Sequence, residues 1–101
     1  MTASTDVRLE AHVHGRVQGV GFRYYVLEEA SRLQVRGWVS NDHDGAESVI
    51  AEAPRPILEQ LLAALEAGPI AARVERVEAS WSAASGDLRQ FGVRSGWHGG
   101  D

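Results

Sequence analysis

The chain has 101 residues, of which 44% are hydrophobic, with a formal net charge of −4 and no cysteine. This composition predicts one folded domain with a single core, and it excludes disulfides and thiolate metal sites. The acidic balance argues against broad nucleic-acid binding, which depends on basic surface. No apolar run reaches the ~18 residues of a membrane span, and residues 1–6 lack the apolar core of a secretion signal. We therefore expect a cytoplasmic protein without nucleic-acid or membrane partners.

The first predicted element is a strand over residues 7–14, because apolar residues occupy every second position from Val7 to Val13. His12 and His14 lie on its polar face. Because the sequence offers them no further cluster of ligands, we expect them to be exposed or locally hydrogen-bonded, not bound to a metal ion.

A glycine-rich loop, His14-Gly15-Arg16-Val17-Gln18-Gly19-Val20-Gly21-Phe22-Arg23, follows the strand. Glycine allows close approach to backbone N–H groups, and the start of a helix leaves such groups unpaired and partly positive. With the guanidinium of Arg23, these features favour a seat for phosphate or carboxylate. On spacing alone, an ordinary turn that binds nothing is the alternative. The loop lacks the lysine of a Walker motif, and Tyr24 stands where a dinucleotide fingerprint has its third glycine.

Helical spacing begins at Phe22 and predicts a helix that ends near Gln34. Its apolar stripe contains Phe22, Val26, Ala30 and Leu33, with Tyr25 beside them. We expect Phe22 and Tyr25 to pack in the core and not to stack on bases, because the positions are helical and no basic surface surrounds them.

A hairpin is predicted next, with strands at residues 37–41 and 46–53 and a turn at Asp42-His43-Asp44-Gly45. The buried face of the second strand is ambiguous, because each face mixes apolar and polar residues. We interpret residues 42–44 as turn residues and not as a metal cluster, since adjacent side chains in a tight turn point apart.

The remaining residues predict a helix and two strands. Pro54 and Pro56 begin an amphipathic helix with a leucine-rich stripe over residues 57–65, which ends at Gly68-Pro69 and is expected to be scaffold. Residues 72–81 predict a strand with a bulge near Glu75-Arg76, where the alternation changes phase. Residues 88–93 predict a short final strand.

The predicted order βαββαβ corresponds to an α+β, ferredoxin-like split βαβ fold, an antiparallel sheet with two helices packed on one face. We expect a single domain over residues 1–101, with a core at about 7–94 and loose tails at 1–6 and 95–101. The small size and mixed surface suggest a monomer.

Two motifs in this chain resemble those of the acylphosphatase family. They are the loop at residues 14–23 and Gly37-Trp38-Val39-Ser40-Asn41, which is followed by Asp44-Gly45. The similarity runs from about Val7 to Val93. It implies the split βαβ fold and metal-independent hydrolysis of carboxyl–phosphate mixed anhydrides, with no cofactor.

The resemblance assigns catalysis to Arg23 and Asn41, and phosphate binding to Gly15, Arg16, Val17, Gln18, Gly19 and Val20. We expect the amides of residues 16–20 and the Arg23 guanidinium to hold the phosphoryl group, while the Asn41 carboxamide orients the attacking water. The Arg16 side chain is expected to point to solvent, and Gln18 to contribute its backbone. The partners implied are an acyl phosphate substrate and inorganic phosphate, as product and competitor.

The chain departs from the family pattern at two places, Ala46-Glu47-Ser48-Val49 and residues 82–86. Relatives often have a shorter small-Val-Glu run at the first and a proline at the second, and we expect both departures to affect only the scaffold. Two alternatives stay open: a binding module, as in larger proteins that handle carbamoyl phosphate, and a regulatory anion-binding protein without turnover. The intact pair Arg23 and Asn41 favours the enzyme.

Overall fold

The computed structural model describes residues 5–94, in which five strands and two helices follow one another in the predicted order βαββαβ, extended by the predicted short final strand. The elements are β1 (Asp6–Arg16), α1 (Phe22–Leu33), β2 (Arg36–Asn41), β3 (Glu47–Pro54), α2 (Arg55–Ala67), β4 (Arg73–Ala83) and β5 (Phe91–Val93). The tails predicted at residues 1–6 and 95–101 lie outside the described residues except for Thr5 and Asp6, and Asp6 already belongs to β1. Within residues 5–94, neither helix is long and apolar enough to cross a membrane.

The strands form one sheet in the order β4-β1-β3-β2-β5. The neighbours among β1 to β4 pair antiparallel, as predicted, whereas β5 pairs parallel to β2. The chain reverses direction after β4 and crosses to the far edge of the sheet. Because β4 runs opposite to β2, the strand that follows this reversal must run parallel to β2, so the sheet is mixed at that edge.

The core lies between one face of the sheet and the two helices. Leu9, Ala11 and Val13 of β1 are buried there, and so are the predicted stripes, with Phe22, Val26 and Ala30 from α1 and Leu58, Leu61 and Leu65 from α2. Complete burial of a large apolar side chain stabilises a fold by about 1.5–3 kcal/mol. The Tyr25 hydroxyl donates to the Ala64 carbonyl oxygen at 2.7 Å, which joins the two helices.

β3 carries two buried carboxylic acids on opposite faces of the sheet. Glu47 precedes Val49, Ala51 and Ala53 on the face towards the helices, while Glu52 lies on the other face, and both glutamates are only 1% exposed. The sequence left the buried face of this strand ambiguous because each face mixes apolar and polar residues. The structure buries the face that carries Glu47, whereas on the other face Ser48 and Ile50 are half-buried and only Glu52 is fully covered.

The segment after β4 covers Glu52. Its carboxylate accepts hydrogen bonds from the Ser85 amide at 2.8 Å, the Gly86 amide at 3.1 Å and the Ser85 hydroxyl at 3.2 Å, and Arg8 Nη1 lies 3.7 Å away. Burial raises the pKa of Glu52, but these hydrogen bonds and the Arg8 charge outweigh burial and leave the pKa below its ordinary value. An ionised carboxylate therefore fixes the connection that leads to β5.

The predicted bulge is confirmed in β4. His14 pairs with Arg76 and Gly15 pairs with Val74, which leaves Glu75 as the extra residue. Gly15 has φ +133°, and a Cβ at this position would overlap the carbonyl oxygen of Arg73. The close approach of the two strands therefore requires glycine where the chain leaves β1 for the loop.

Candidate active site

The glycine-rich loop connects the end of β1 to the first turn of α1. Gly21 caps α1 in the left-handed conformation, with φ +79° and no side-chain capping bond. The Tyr25 amide donates to the Gly21 carbonyl oxygen at 3.1 Å, which begins the helix. Arg23 therefore lies in a first turn that contains no acidic residue, beside the positive end of the helix.

A cavity of about 430 Å³ opens between this loop, α1 and the edge of the sheet. Its lining residues are Val17, Gly19, Gly21, Phe22, Arg23, Tyr24, Leu27, Glu47 and Val93. The wall contains the polar groups of Arg23, Glu47 and the loop as well as the apolar side chains of Leu27 and Val93. The cavity therefore offers both polar and apolar contacts to a ligand.

The structure separates the predicted phosphate-binding residues into three groups. Val17 and Gly19 line the cavity together with Arg23. Gly15 lies at the bulge and Val20 packs against the core, so neither belongs to the cavity wall. Arg16 is exposed at the end of β1, as expected for its side chain.

The Gln18 side chain has a role that the sequence did not indicate. Its Nε2 donates to the carbonyl oxygens of Asp42 at 2.9 Å and Ala46 at 2.8 Å. The expected contribution of the Gln18 backbone to phosphate binding stays a prediction, while the side chain ties the loop to the β2–β3 turn. This turn begins directly after Asn41, so Gln18 holds the two motifs together.

Asn41 is the last residue of β2, is 4% exposed, and pairs with Glu47 at the start of β3. Glu47 offers an acceptor oxygen in either protonation state. With the Asn41 carboxamide turned so that Nδ2 faces Glu47, this nitrogen lies 3.1 Å from Oε1. Asn41 does not itself line the cavity. The two predicted catalytic residues are therefore linked through Glu47, which contacts Asn41 and shares the cavity wall with Arg23.

Glu47 was missed as a site residue, and the expectation that residues 46–49 affect only the scaffold was wrong. Burial raises the pKa of Glu47 to about 8, with Arg23 acting to lower it and Asp42 to raise it further. At neutral pH the cavity wall therefore contains mostly the neutral acid. The alternation of Glu47 with Val49 and Ala51 was the available clue, but the sequence did not show which face was buried.

The structure confirms two predictions about residues outside the cavity. Residues 42–44 belong to a turn, and His12 and His14 are hydrogen-bonded locally. The Ala46 amide donates to Asp44 Oδ1 at 3.0 Å within the turn. The Ser48 hydroxyl donates to Asp42 Oδ2 at 2.6 Å and lies 2.9 Å from His12 Nδ1. His14 Nε2 is 2.7 Å from Glu78 Oε1. In the part of the chain that the structure describes, no three His, Asp or Glu side chains are grouped to hold a metal ion.

Comparisons with known proteins show the family to which the chain belongs. The family model for acylphosphatase matches residues 9–93. A relative named acylphosphatase from Salinibacter ruber is 46% identical over 94 residues, which cover 93% of this chain and 99% of the relative. The solved structure of an acylphosphatase from Coxiella burnetii superimposes with a TM-score of 0.86 at 33% identity, covering 93% of this chain and 100% of that chain.

A similar domain also occurs in a longer protein. The crystal structure of T. kodakarensis HypF matches with a TM-score of 0.75 at 31% identity, but the match covers 86% of this chain and only 12% of that one. The Salinibacter and Coxiella proteins, in contrast, match over nearly their whole length. The extent of the family match, together with these full-length relatives, shows that the chain belongs to the acylphosphatase family.

Proposed function

We propose that the chain hydrolyses the carboxyl–phosphate bond of acyl phosphates to a carboxylate and inorganic phosphate, without a metal ion. The observation that carries this proposal is one cavity whose wall contains the glycine loop, Arg23 and Glu47, with Asn41 in contact with Glu47. The full-length relatives are named acylphosphatases, which are hydrolases, and this supports the reaction class.

The phosphoryl group is bound by the amides of the loop and by Arg23. Among residues 5–94, no backbone hydrogen bond outside the helices and strands is donated by the amides of residues 17–20. These amides and the positive end of α1 suit the non-bridging oxygens of a phosphoryl group. The Arg23 guanidinium adds charge-assisted bonds that strengthen as negative charge develops in the transition state.

The reaction needs no covalent nucleophile from the protein, because the carboxylate of an acyl phosphate is already a good leaving group. A water molecule attacks phosphorus while the bond from phosphorus to the acyl oxygen breaks, and the carboxylate leaves with the electron pair. The proton of the water passes to the phosphate. The Asn41 carboxamide has both an acceptor oxygen and donor hydrogens, so it can orient this water.

Apolar side chains in the cavity wall receive the acyl group. Tyr24, Leu27 and Val93 are among the lining residues, and an acyl chain or aromatic ring placed against them would bury apolar surface. The monomeric state and cytoplasmic location suggested by the sequence stay predictions.

The deciding experiment is steady-state hydrolysis of a synthetic aromatic acyl phosphate in excess chelator. We expect full turnover in the presence of the chelator and competitive inhibition by inorganic phosphate. A large loss of rate with chelator would contradict the metal-independent reaction. Phosphate binding without turnover would favour the regulatory anion-binding protein, and absence of both would favour a binding module for another ligand.

A further inference from the structure

Glu47 is a buried carboxylic acid in the cavity wall that the proposed reaction does not use. It is the first residue of β3 and is 1% exposed. The elements around it present few charged groups to it. Arg23 of α1 and Asp42 of the β2–β3 turn are the charges that shift its titration. Its partner on β2 is Asn41 and its partner on β1 is the apolar Val13.

The ionised form of Glu47 competes with a bound phosphoryl group for the charge of Arg23. The carboxylate accepts from the Asn41 carboxamide and is attracted by the Arg23 guanidinium. A second anion beside Arg23 would then face the like charge of a carboxylate that is itself 1% exposed, so solvent screens the repulsion less than it does at the surface. The neutral acid carries no such charge and does not repel the incoming anion.

We propose that Glu47 controls anion affinity through its protonation: the neutral acid admits a phosphoryl group beside Arg23, and the carboxylate excludes it. This inference rests on the proposed role of Arg23 in holding that group. By reciprocity, an anion that binds better beside the neutral acid must itself favour protonation of Glu47. Substrate binding and proton uptake at Glu47 are then one coupled event.

The test is titration with sulfate at pH 6.5 and pH 9.5, because sulfate stays a tetrahedral dianion over this range. With the pKa of Glu47 at about 8, the neutral acid dominates at the lower pH and the carboxylate at the higher. If only the neutral form binds, the sulfate Kd rises about 30-fold between the two values. The chain has no cysteine and no lysine, so neither of these side chains contributes to the pH dependence, and comparison with Glu47→Gln isolates the part due to Glu47.

Three variants test the role of Glu47 separately from the role of Arg23 in anion binding. Glu47→Gln should bind sulfate with nearly the same Kd at both pH values. Glu52→Gln is the matched control, since it removes an equally buried carboxyl from the same strand outside the cavity, and should keep the wild-type pH dependence. Arg23→Ala should lose sulfate binding at both pH values.

The outcomes are distinct. The inference is overturned if the wild-type Kd for sulfate does not change with pH, or if Glu47→Gln keeps the full pH dependence. In either case, loss of sulfate binding in Arg23→Ala would still support the proposed anion site. Sulfate binding by Arg23→Ala at wild-type strength overturns the site itself. If Glu47→Gln fails to fold, the carboxyl carbon resonance of Glu47 in the wild type decides. Its titration midpoint should move upward by about one pH unit or more in saturating sulfate, and an unmoved midpoint overturns the inference.

Discussion

At the scale of single residues, Glu47 and Glu52 show how burial and hydrogen bonding shift the pKa of a carboxyl group in opposite directions. Both are buried in β3, yet burial raises the pKa of Glu47 to about 8, while the pKa of Glu52 is lowered by hydrogen bonds from Ser85 and Gly86 that overcome its burial. The folded protein therefore favours the neutral form of Glu47 and the ionised form of Glu52. As the pH rises, the contribution of Glu47 to the free energy of unfolding must fall and that of Glu52 must rise.

Substitution of each glutamate by glutamine should reveal these opposite effects in urea denaturation between pH 3 and pH 8. Because the pKa of Glu47 is raised from 4.5, its stabilising contribution is complete below pH 4.5 and is lost as the pH rises through about 8. Relative to Glu47→Gln, the wild type should lose at most about 1.4 kcal/mol of unfolding free energy per pH unit in this range.

Glu52 should behave in the reverse way. Because its pKa is lowered, its contribution is present above pH 4.5 and is lost as the pH falls through the folded-state pKa. Glu52→Gln should cost about 1–3 kcal/mol at pH 7, with the gap closing on acidification. A stability difference that is constant with pH in either pair would contradict the assigned cause.

Substitutions of Arg23 and Asn41 test their separate roles. Arg23→Ala should abolish phosphate binding and lower turnover by about 10²–10³-fold or more, since a preorganised donor contributes about 3–4 kcal/mol. Asn41→Ala should lose turnover but keep phosphate binding. Arg32→Ala is the matched control, because it removes an arginine from the last turn of the same helix, where it pairs with Glu29. Comparable phosphate affinity in Arg23→Ala, or near-normal turnover in Asn41→Ala, would refute the assigned role.

At the element scale, the bulge between β1 and β4 determines where the phosphate loop begins. Gly15 lies so close to Arg73 and Glu75 of β4 that a Cβ would overlap their backbone. Gly15→Ala should therefore separate the two strands, lower the free energy of unfolding by about 3 kcal/mol or more, and weaken phosphate binding. Gly92→Ala in β5 is the control, because no atom lies within 4 Å of its added Cβ. Equal thermal stability of the two variants would contradict this account.

At the scale of the whole molecule, the site depends on a contact between segments that are distant in sequence. Gln18 bonds to carbonyl oxygens 24 and 28 residues away and so joins the loop to the turn after Asn41. Gln18→Ala removes both bonds, each worth about 1 kcal/mol. We expect reduced turnover with unchanged secondary structure and lower NMR order parameters for the backbone of residues 17–20, because the loop loses its anchor. Unchanged order parameters in the loop would show that the contact does not position it.

The sequence by itself determined the order of the elements, the stripes of both helices, the bulge near Glu75 and the two motifs that carry Arg23 and Asn41. These features are local, because the period of the apolar residues and the backbone demands of glycine and proline act within a few residues. Only the tertiary structure decided the buried face of β3, the parallel direction of β5 and the partners of Gln18. Each depends on which distant segment covers or pairs with an element. Glu47 and Glu52 show why: their faces are equally mixed in sequence, and only the surrounding chain makes one carboxyl neutral and the other charged.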